Sequence, residues 1–222
     1  MRDTFQKALL EVQQDILRMA SLTEEAIYNS IKALNNQDIE LGYSVIQGDD
    51  KIDDLRNEIE DKCITLIATQ QPLATDLRIV VTGIKITTSL ERMADHAADI
   101  SKIAMCMIGK KELDTIDKIN RMAGLVQSMV KDGLDAYMYN DLDKAISVGK
   151  KDDDVDDLYH QVFKELIDYM KSDPNMIAQA TYLLFVSRFL ERIGDHSNNI
   201  AKNVIYLITG NRKVKKNKHI YC

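Results

Sequence analysis

Two segments of this chain repeat each other, and the repeat constrains the fold more than any other feature of the sequence. Residues 90–102 read LERMADHAADISK and residues 190–202 read LERIGDHSNNIAK, with seven of thirteen positions identical at an offset of 100. A weaker match in the same order pairs residues 49–55, DDKIDDL, with residues 152–158, DDDVDDL. Two matches in one order indicate that the chain contains two copies of one structural unit, arranged in tandem.

Apolar residues recur every three or four positions along nearly all of the chain, which is the pattern of amphipathic α-helices. Only 2 Pro and 9 Gly interrupt the 222 residues, and the sequence has neither the regularly spaced turns of all-β proteins nor the short apolar runs of βαβ units. It predicts an all-α fold of six long helices, arranged as two tandem three-helix bundles related by internal duplication. The predicted units are residues 1–109, residues 110–210 and a basic C-terminal tail, residues 211–222.

Breaks in the periodicity predict where the helices begin and end. The third helix is expected to start at a cap formed by Thr75 or Asp76 and to end at Gly109 as its C′ residue. Asp173 followed by Pro174 has the residue types of a helix N-terminus and predicts the start of the last helix. The other predicted boundaries are residues 3–35 for the first helix, residues 36–38 for the cap of the second, residue 70 for its end, residues 140–141 for the end of the fourth and Gly210 for the end of the sixth.

The charge and cysteine content exclude several classes of protein. Residues 211–222 hold five basic residues and no acid, so the body of the chain is more acidic than the net charge of −6 shows, whereas binding to nucleic acid requires a basic surface. No apolar stretch has the length of a membrane span, and the first residues lack the apolar core of a signal peptide. Three cysteines without CxxC spacing favour neither a disulfide framework nor a thiolate zinc site. We therefore expect a cytoplasmic protein that does not bind nucleic acid.

Carboxylates recur at i and i+4 beside the apolar stripes in both copies. Glu91, Asp95 and Asp99 line one face of the third predicted helix, and Asp49 and Asp53 share this spacing on the second. Like charges at this spacing repel each other, so a positive partner is expected to offset them. The corresponding positions in the second copy are Asp152, Asp156, Glu191, Asp195 and Asn199.

Two interpretations of these carboxylates stay open. In the first, Arg92, Arg192 and Lys102 form local ion pairs along a solvated helix flank. In the second, carboxylates of neighbouring helices converge in each bundle as an all-oxygen metal site, which suits Mg²⁺, Mn²⁺, Ca²⁺ or iron and disfavours structural zinc. His96 and His196 lie about 100° round the helix from the carboxylates that precede them, so we expect them at the flank and not among the ligands.

No arrangement of residues predicts a catalytic site. A ferritin-like di-iron enzyme requires Glu-x-x-His motifs on two helices, and this motif is missing. The sequence also has no Ser/His/Asp or Cys/His arrangement, no Gly-rich phosphate loop and no HExxH motif. We therefore do not expect an enzyme. A di-iron enzyme and a purely structural helical scaffold are the alternatives.

Four stretches, GDDKIDDL, QQPLATDLRIVV, LERMADHAADI and LERIGDHSNNI, resemble the PhoU family of accessory and regulatory proteins of phosphate uptake. The resemblance covers nearly the whole chain and implies two three-helix bundles, a homodimer and multinuclear metal clusters. Iron is the favoured metal, with manganese, magnesium, calcium and zinc as alternatives. Asn199 stands where the family pattern has an acid, which weakens the expectation for the second cluster. The ligands that the resemblance implies are Asp49, Asp53, Glu91, Asp95 and Asp99 for the first cluster, and Asp152, Asp156, Glu191, Asp195 and Asn199 for the second.

The same resemblance implies a function in phosphate homeostasis. It implies negative regulation of phosphate uptake and of the phosphate-starvation regulon, exerted on the ATPase subunit of a phosphate transporter and on a membrane sensor histidine kinase. We therefore expect an adaptor that reaches the membrane only through these partners.

Overall fold

Six long α-helices make up most of the structure. The computed structural model describes residues 2–110 and 113–211, so most of the basic tail, residues 212–222, lies outside the described residues. The described part contains no strand, and none of its helices is long and apolar enough to cross a membrane. The all-α prediction is therefore confirmed. The helices are α1 Arg2–Asn36, α2 Ile39–Gln70, α3 Ala74–Cys106, α4 Ile116–Tyr139, α5 Leu142–Ser172 and α6 Ile177–Thr209.

Aspartate caps begin the second helix of each bundle. The Asp38 carboxylate accepts a hydrogen bond from the Leu41 backbone N–H at 3.0 Å, and the Asp141 carboxylate accepts one from the Lys144 N–H at 2.9 Å. Each cap satisfies one of the backbone donors that a helix start leaves unpaired. The cap predicted for the second helix is thus confirmed, and its equivalent in the second copy uses the same residue type.

The predicted cap of α3 is wrong by two or three residues. The helix begins at Ala74, and the capping position is Leu73, which offers no side-chain hydrogen bond. Asp76 lies inside the first turn instead, where its negative charge interacts favourably with the helix dipole. At the other end α3 stops at Cys106, and Gly109 adopts its positive φ of 71° in the turn that follows.

The start of the last helix follows the predicted pattern with one addition. The Asp173 carboxylate accepts a hydrogen bond from the Asn175 N–H at 2.9 Å, and Pro174 follows the cap as predicted. These residues open a short 3₁₀ turn, Pro174–Met176, and α6 continues from Ile177. A 3₁₀ turn is a common first turn of an α-helix.

The apolar stripes of the six helices meet in one continuous core. Helices α1–α3 pack against one another, α4–α6 do the same, and α3 packs along α6 at the centre of the molecule. The structure therefore has the two tandem bundles that the sequence predicts, whereas the boundary at residues 109–110 stays a prediction. The largest fully buried side chains are Ile16, Met19, Ile27, Ile59, Ile86, Leu90, Met93, Ile100, Ile119, Met122, Met129 and Leu166.

The two bundles are related by an approximate two-fold rotation. The Arg78 guanidinium, near the start of α3, donates a hydrogen bond at 3.3 Å to the Leu207 carbonyl, near the end of α6. These two helices are therefore antiparallel. Between them His96 lies beside its own repeat equivalent, His196, with 5.8 Å between the ring centroids. A residue meets its equivalent only near the axis that relates two copies, so the axis passes close to the histidine pair.

We expect the Leu90→Ala variant to lower the free energy of unfolding by about 3 kcal/mol, because a fully buried leucine leaves a cavity when it is truncated. Leu10→Ala is the matched control. Its side chain is 55% exposed, so the expected change is within about 0.5 kcal/mol. Chemical denaturation followed by circular dichroism measures both values, and equal losses in the two variants would contradict the described core.

Candidate metal centre

Three aspartates from two helices converge in the first bundle. Asp49 and Asp53 lie one turn apart on α2, and Asp95 lies on α3. One carboxylate oxygen from each residue falls within 4.8 Å of the other two. We call these three residues the first acidic cluster, and they are the only such group of three or more acidic, histidine or cysteine side chains among the described residues.

The packing of α2 against α3 brings these carboxylates together. Ile52 on α2 and Met93 on α3 are both buried in the core, and each is close in sequence to members of the first acidic cluster. The apolar side chains fix the rotation of each helix about its axis. Carboxylates one or two positions away then lie at the edge of the seam and face the neighbouring helix.

The first acidic cluster holds more negative charge than its surroundings neutralise. Burial, together with the charges of Asp95 and Asp53, raises the pKa of Asp49 to about 6. Burial and the Asp95 carboxylate also raise the pKa of Asp53 and the pKa of Glu91. All three shifts have the sign expected for carboxylates that are partly desolvated and repel one another. A bound cation would reverse this imbalance.

The geometry of the first acidic cluster fits a hard cation. One carboxylate oxygen of Asp49, Oδ1, is buried and has no hydrogen-bond partner, whereas buried polar atoms are normally paired. Oxygens that bind one cation at about 2.0–2.4 Å lie no more than about 4.0–4.8 Å apart, and the three carboxylates meet this limit because they lie within 4.8 Å of one another. An all-oxygen donor set is the preference of Mg²⁺, Ca²⁺ and Mn²⁺, and carboxylates also bind iron.

The other two predicted ligands of the first bundle lie outside this group. Glu91 is near enough for the Asp95 and Asp53 charges to raise its pKa, and its nearest cation is Arg92 at 3.4 Å. Asp99 instead pairs with Lys102 at 2.8 Å. The interpretation as local ion pairs therefore holds for Asp99. It holds for Asp95 as well, whose carboxylate accepts a hydrogen bond from the Arg92 guanidinium at 3.2 Å while it converges with Asp49 and Asp53.

The second bundle arranges its carboxylates differently. Asp152 is buried and accepts a hydrogen bond from the side-chain amide of Asn198, which is buried as well. Glu191 accepts a hydrogen bond from Arg188 at 2.8 Å, a contact that Glu91 lacks. Asp195 lies 4.0 Å from Arg192, and in this it resembles Asp95, which lies 3.2 Å from Arg92. The remaining predicted positions are Asp156, which is close enough to raise the pKa of Glu191, and Asn199, which is exposed.

Sequence reasoning missed Asn198 and Arg188. Both positions differ in residue type between the two copies, because the first copy has Ala98 and Thr88 at the corresponding places. An asparagine at a position where the other copy has a buried alanine indicates a polar contact in the core. A residue-by-residue comparison of the two copies would have identified it.

The histidine pair lies between the two bundles. His96 stacks on Phe189 with 5.5 Å between ring centroids and lies beside His196. Burial lowers the pKa of both imidazoles, and this outweighs the neighbouring carboxylates that favour the charged form. Neither ring belongs to the first acidic cluster. Both rings are half-buried where the two bundles meet, and not on an open helix flank.

The thiol of Cys63 is unsuited to nucleophilic chemistry. It is fully buried, and burial raises its pKa to about 11, so the thiol stays protonated at neutral pH. Cys106 is exposed, and Cys222 lies outside the described residues.

The chain is similar to proteins of one family over nearly its whole length. The family model described as the PhoU domain matches residues 16–104 and again residues 119–204. A phosphate-specific transport system accessory protein PhoU homolog of Clostridium acetobutylicum is 47% identical over 210 residues, which is 94% of this chain and 96% of that protein. The corresponding homolog of Aquifex aeolicus is 42% identical over 214 residues and 96% of each chain.

Two solved structures share the fold. The crystal structure of PhoU from Pseudomonas aeruginosa superimposes with a TM-score of 0.91 at 34% identity, over 93% of this chain and all of that one. The phosphate transport system regulatory protein PhoU from Streptococcus pneumoniae gives a TM-score of 0.87 at 31% identity, over 95% of this chain and all of that one. The names describe accessory and regulatory proteins and indicate no enzymatic activity.

In the metal-free protein, we expect Asp49→Asn to gain stability relative to the parent as the pH rises. The Asp49 carboxyl has a pKa of about 6 in the folded chain and 3.8 as its ordinary value. The stability that the Asp49 carboxyl adds to the folded chain is therefore fully present below pH 3.8, and it is lost as the pH rises through about 6. After allowance for solvent screening, the difference in unfolding free energy between variant and parent should grow by about 1 kcal/mol from pH 4 to pH 7.5.

Urea denaturation in the presence of a chelator measures this difference. Asp50→Asn is the matched control, since Asp50 is an exposed neighbour outside the first acidic cluster. A difference for Asp49→Asn that stays constant with pH would show that the carboxylates do not repel one another as described.

Proposed function

The chain belongs to the PhoU family, and from this we propose that it is an accessory protein of a phosphate-specific transport system. The observation that carries the proposal is full-length similarity. The relative from Clostridium acetobutylicum aligns over 94% of this chain and 96% of its own length. A match of this extent includes both bundles and not just one repeat, so it supports a common role for the whole chain.

We propose that this role is regulatory. The chain would act as a cytoplasmic adaptor that lowers phosphate uptake and represses the phosphate-starvation regulon, through contacts with the transporter's ATPase subunit and a membrane sensor histidine kinase. The name of the Streptococcus pneumoniae protein, a phosphate transport system regulatory protein, supports regulation. The absence of a recognisable catalytic motif from the sequence is compatible with an adaptor.

The ends of the helices offer apolar surface for such contacts. Leu73, just before α3, is 82% exposed, and Tyr139, at the end of α4, is 78% exposed. Aromatic residues are enriched in protein interfaces. These side chains support the proposal that the chain binds partners and forms a homodimer.

We further propose that a divalent cation binds to the first acidic cluster, with iron as the favoured metal. Asp49, Asp53 and Asp95 would be its ligands, and Glu91 is close enough to complete a cluster with more than one ion. The support is the buried, unpaired Asp49 oxygen together with the convergence of three carboxylates. Such a cation would connect α2 to α3 and neutralise charges that otherwise repel one another.

Deletion of the gene should raise expression of phosphate-starvation genes in phosphate-replete medium, because the proposed negative regulator is lost. A transcriptional reporter measures the change, and a plasmid copy of the gene should restore repression. Unchanged reporter activity in the deletion strain would contradict the regulatory role.

The purified, chelator-treated chain should take up Fe²⁺ under anaerobic conditions at no less than one ion per chain. The triple variant Asp49→Asn, Asp53→Asn, Asp95→Asn should lose this binding, because it removes the three converging carboxylates. The control, Asp50→Asn, Asp54→Asn, Asp76→Asn, removes the same charge at exposed positions and should retain the metal. Elemental analysis after desalting measures both, and equal metal contents would show that only bulk charge attracts the ion.

A further inference from the structure

We propose that this chain binds metal in its first bundle only, and that the second bundle has replaced its metal site with a hydrogen bond between Asn198 and Asp152. The inference rests on the proposed metal binding at the first acidic cluster. It assigns a different role to the carboxylates of the second bundle, which are structural and not ligating.

The contact between Asn198 and Asp152 joins α6 to α5 inside the protein. Both side chains are 5% exposed, and the Asn198 amide donates directly to the Asp152 carboxylate. A buried carboxylate is costly unless it is hydrogen-bonded, and a hydrogen bond to a charged acceptor is stronger than one between neutral groups. The Asp152 carboxylate is therefore stabilised by a protein donor without any cation. By contrast, Asp49, the equivalent of Asp152, has a buried oxygen without a partner.

A second difference between the copies lies beside Asn198. A side-chain carbon placed on Gly149 of α5 would lie 4.0 Å from the Asn198 amide oxygen, an ordinary contact distance. In the first copy the corresponding residues are Ile46 and Ala98. The second copy therefore has the smaller residue on α5 and the larger one on α6, and the first copy has the reverse.

Two further differences make the second bundle less suited to binding a metal ion. Glu191 accepts a hydrogen bond from Arg188 at 2.8 Å, whereas Thr88, at the corresponding position, donates to a backbone carbonyl of its own helix. Only the Oε2 atom of Glu191 stays buried without a hydrogen bond. Asn199 has a neutral amide where the first copy has Asp99, so this position adds no carboxylate to the second bundle. Because the Glu191 charge is paired with Arg188, a divalent cation would meet less free negative charge there.

Matched variants in the two bundles test the inference. One double variant carries Asp53→Asn and Asp95→Asn in the first bundle. The other carries Asp156→Asn and Asp195→Asn at the equivalent positions of the second bundle. Each chelator-treated protein is loaded with Fe²⁺ anaerobically, desalted and analysed for iron. We expect the first pair to lose at least nine-tenths of the bound iron and the second pair to retain the content of the parent.

The outcomes separate this inference from the proposal on which it depends. Iron lost in part from both variants would overturn the single-bundle assignment and leave metal binding itself intact. Iron absent from the parent protein would overturn the proposed metal site. Circular dichroism confirms that each variant is folded before loading.

A gain of metal tests the role of Asn198 directly. The variant Arg188→Thr with Asn198→Ala and Asn199→Asp gives the second bundle the residues of Thr88, Ala98 and Asp99, and it should double the iron content of the parent. It should also show a larger rise in melting temperature on metal addition, because Asp152 is left without its donor until the cation binds. The single exposed change Asn199→Asp is the control and should not add iron. An unchanged iron content in the folded Arg188→Thr, Asn198→Ala, Asn199→Asp variant would show that these three residues do not exclude the metal.

Discussion

The packing of α2 against α3 holds the three carboxylates of the first acidic cluster together against their mutual repulsion. Burial of side chains such as Ile52 and Met93 supplies a favourable free energy that grows with the apolar area removed from water. The same packing partly desolvates Asp49 and raises its pKa to about 6. The packing free energy therefore offsets the electrostatic repulsion within the folded chain, and the cation proposed above would remove that repulsion on binding.

Duplication produced two copies of one backbone arrangement, but a few side chains give each copy its own chemistry. Both copies place acidic residues at the same positions on the second and third helices, and both begin the second helix with an aspartate cap. Asp49 and Asp152 nevertheless have different surroundings, because Ala98 is replaced by Asn198 in the second copy. The chemistry of a site thus follows from individual residues and not from the fold that carries them.

Periodicity predicted the six helices and the two bundles, because the apolar stripes that specify the core also specify the helices. Spacing also predicted that Asp49 and Asp53 share one helix face, since four residues make about one turn. The start of α3 at Ala74 escaped prediction, because Leu73 stands at the cap position without any side-chain hydrogen bond. The sequence also did not predict which group each carboxylate contacts. Whether Asp152 faces an ion or Asn198 depends on the relative rotation of two helices, which the spacing within one helix does not specify.

If the cation binds to the first bundle alone, the two halves of the molecule differ in how they respond to metal. A ligand that binds only the folded state stabilises it in proportion to the logarithm of its concentration, so the contact between α2 and α3 would tighten as metal becomes available. The contact between α5 and α6 would not change, because the Asn198 amide already satisfies Asp152. A partner bound through α1–α3 would therefore contact the metal-dependent helices directly, whereas a partner bound through α4–α6 would sense the metal only through the packing of α3 along α6.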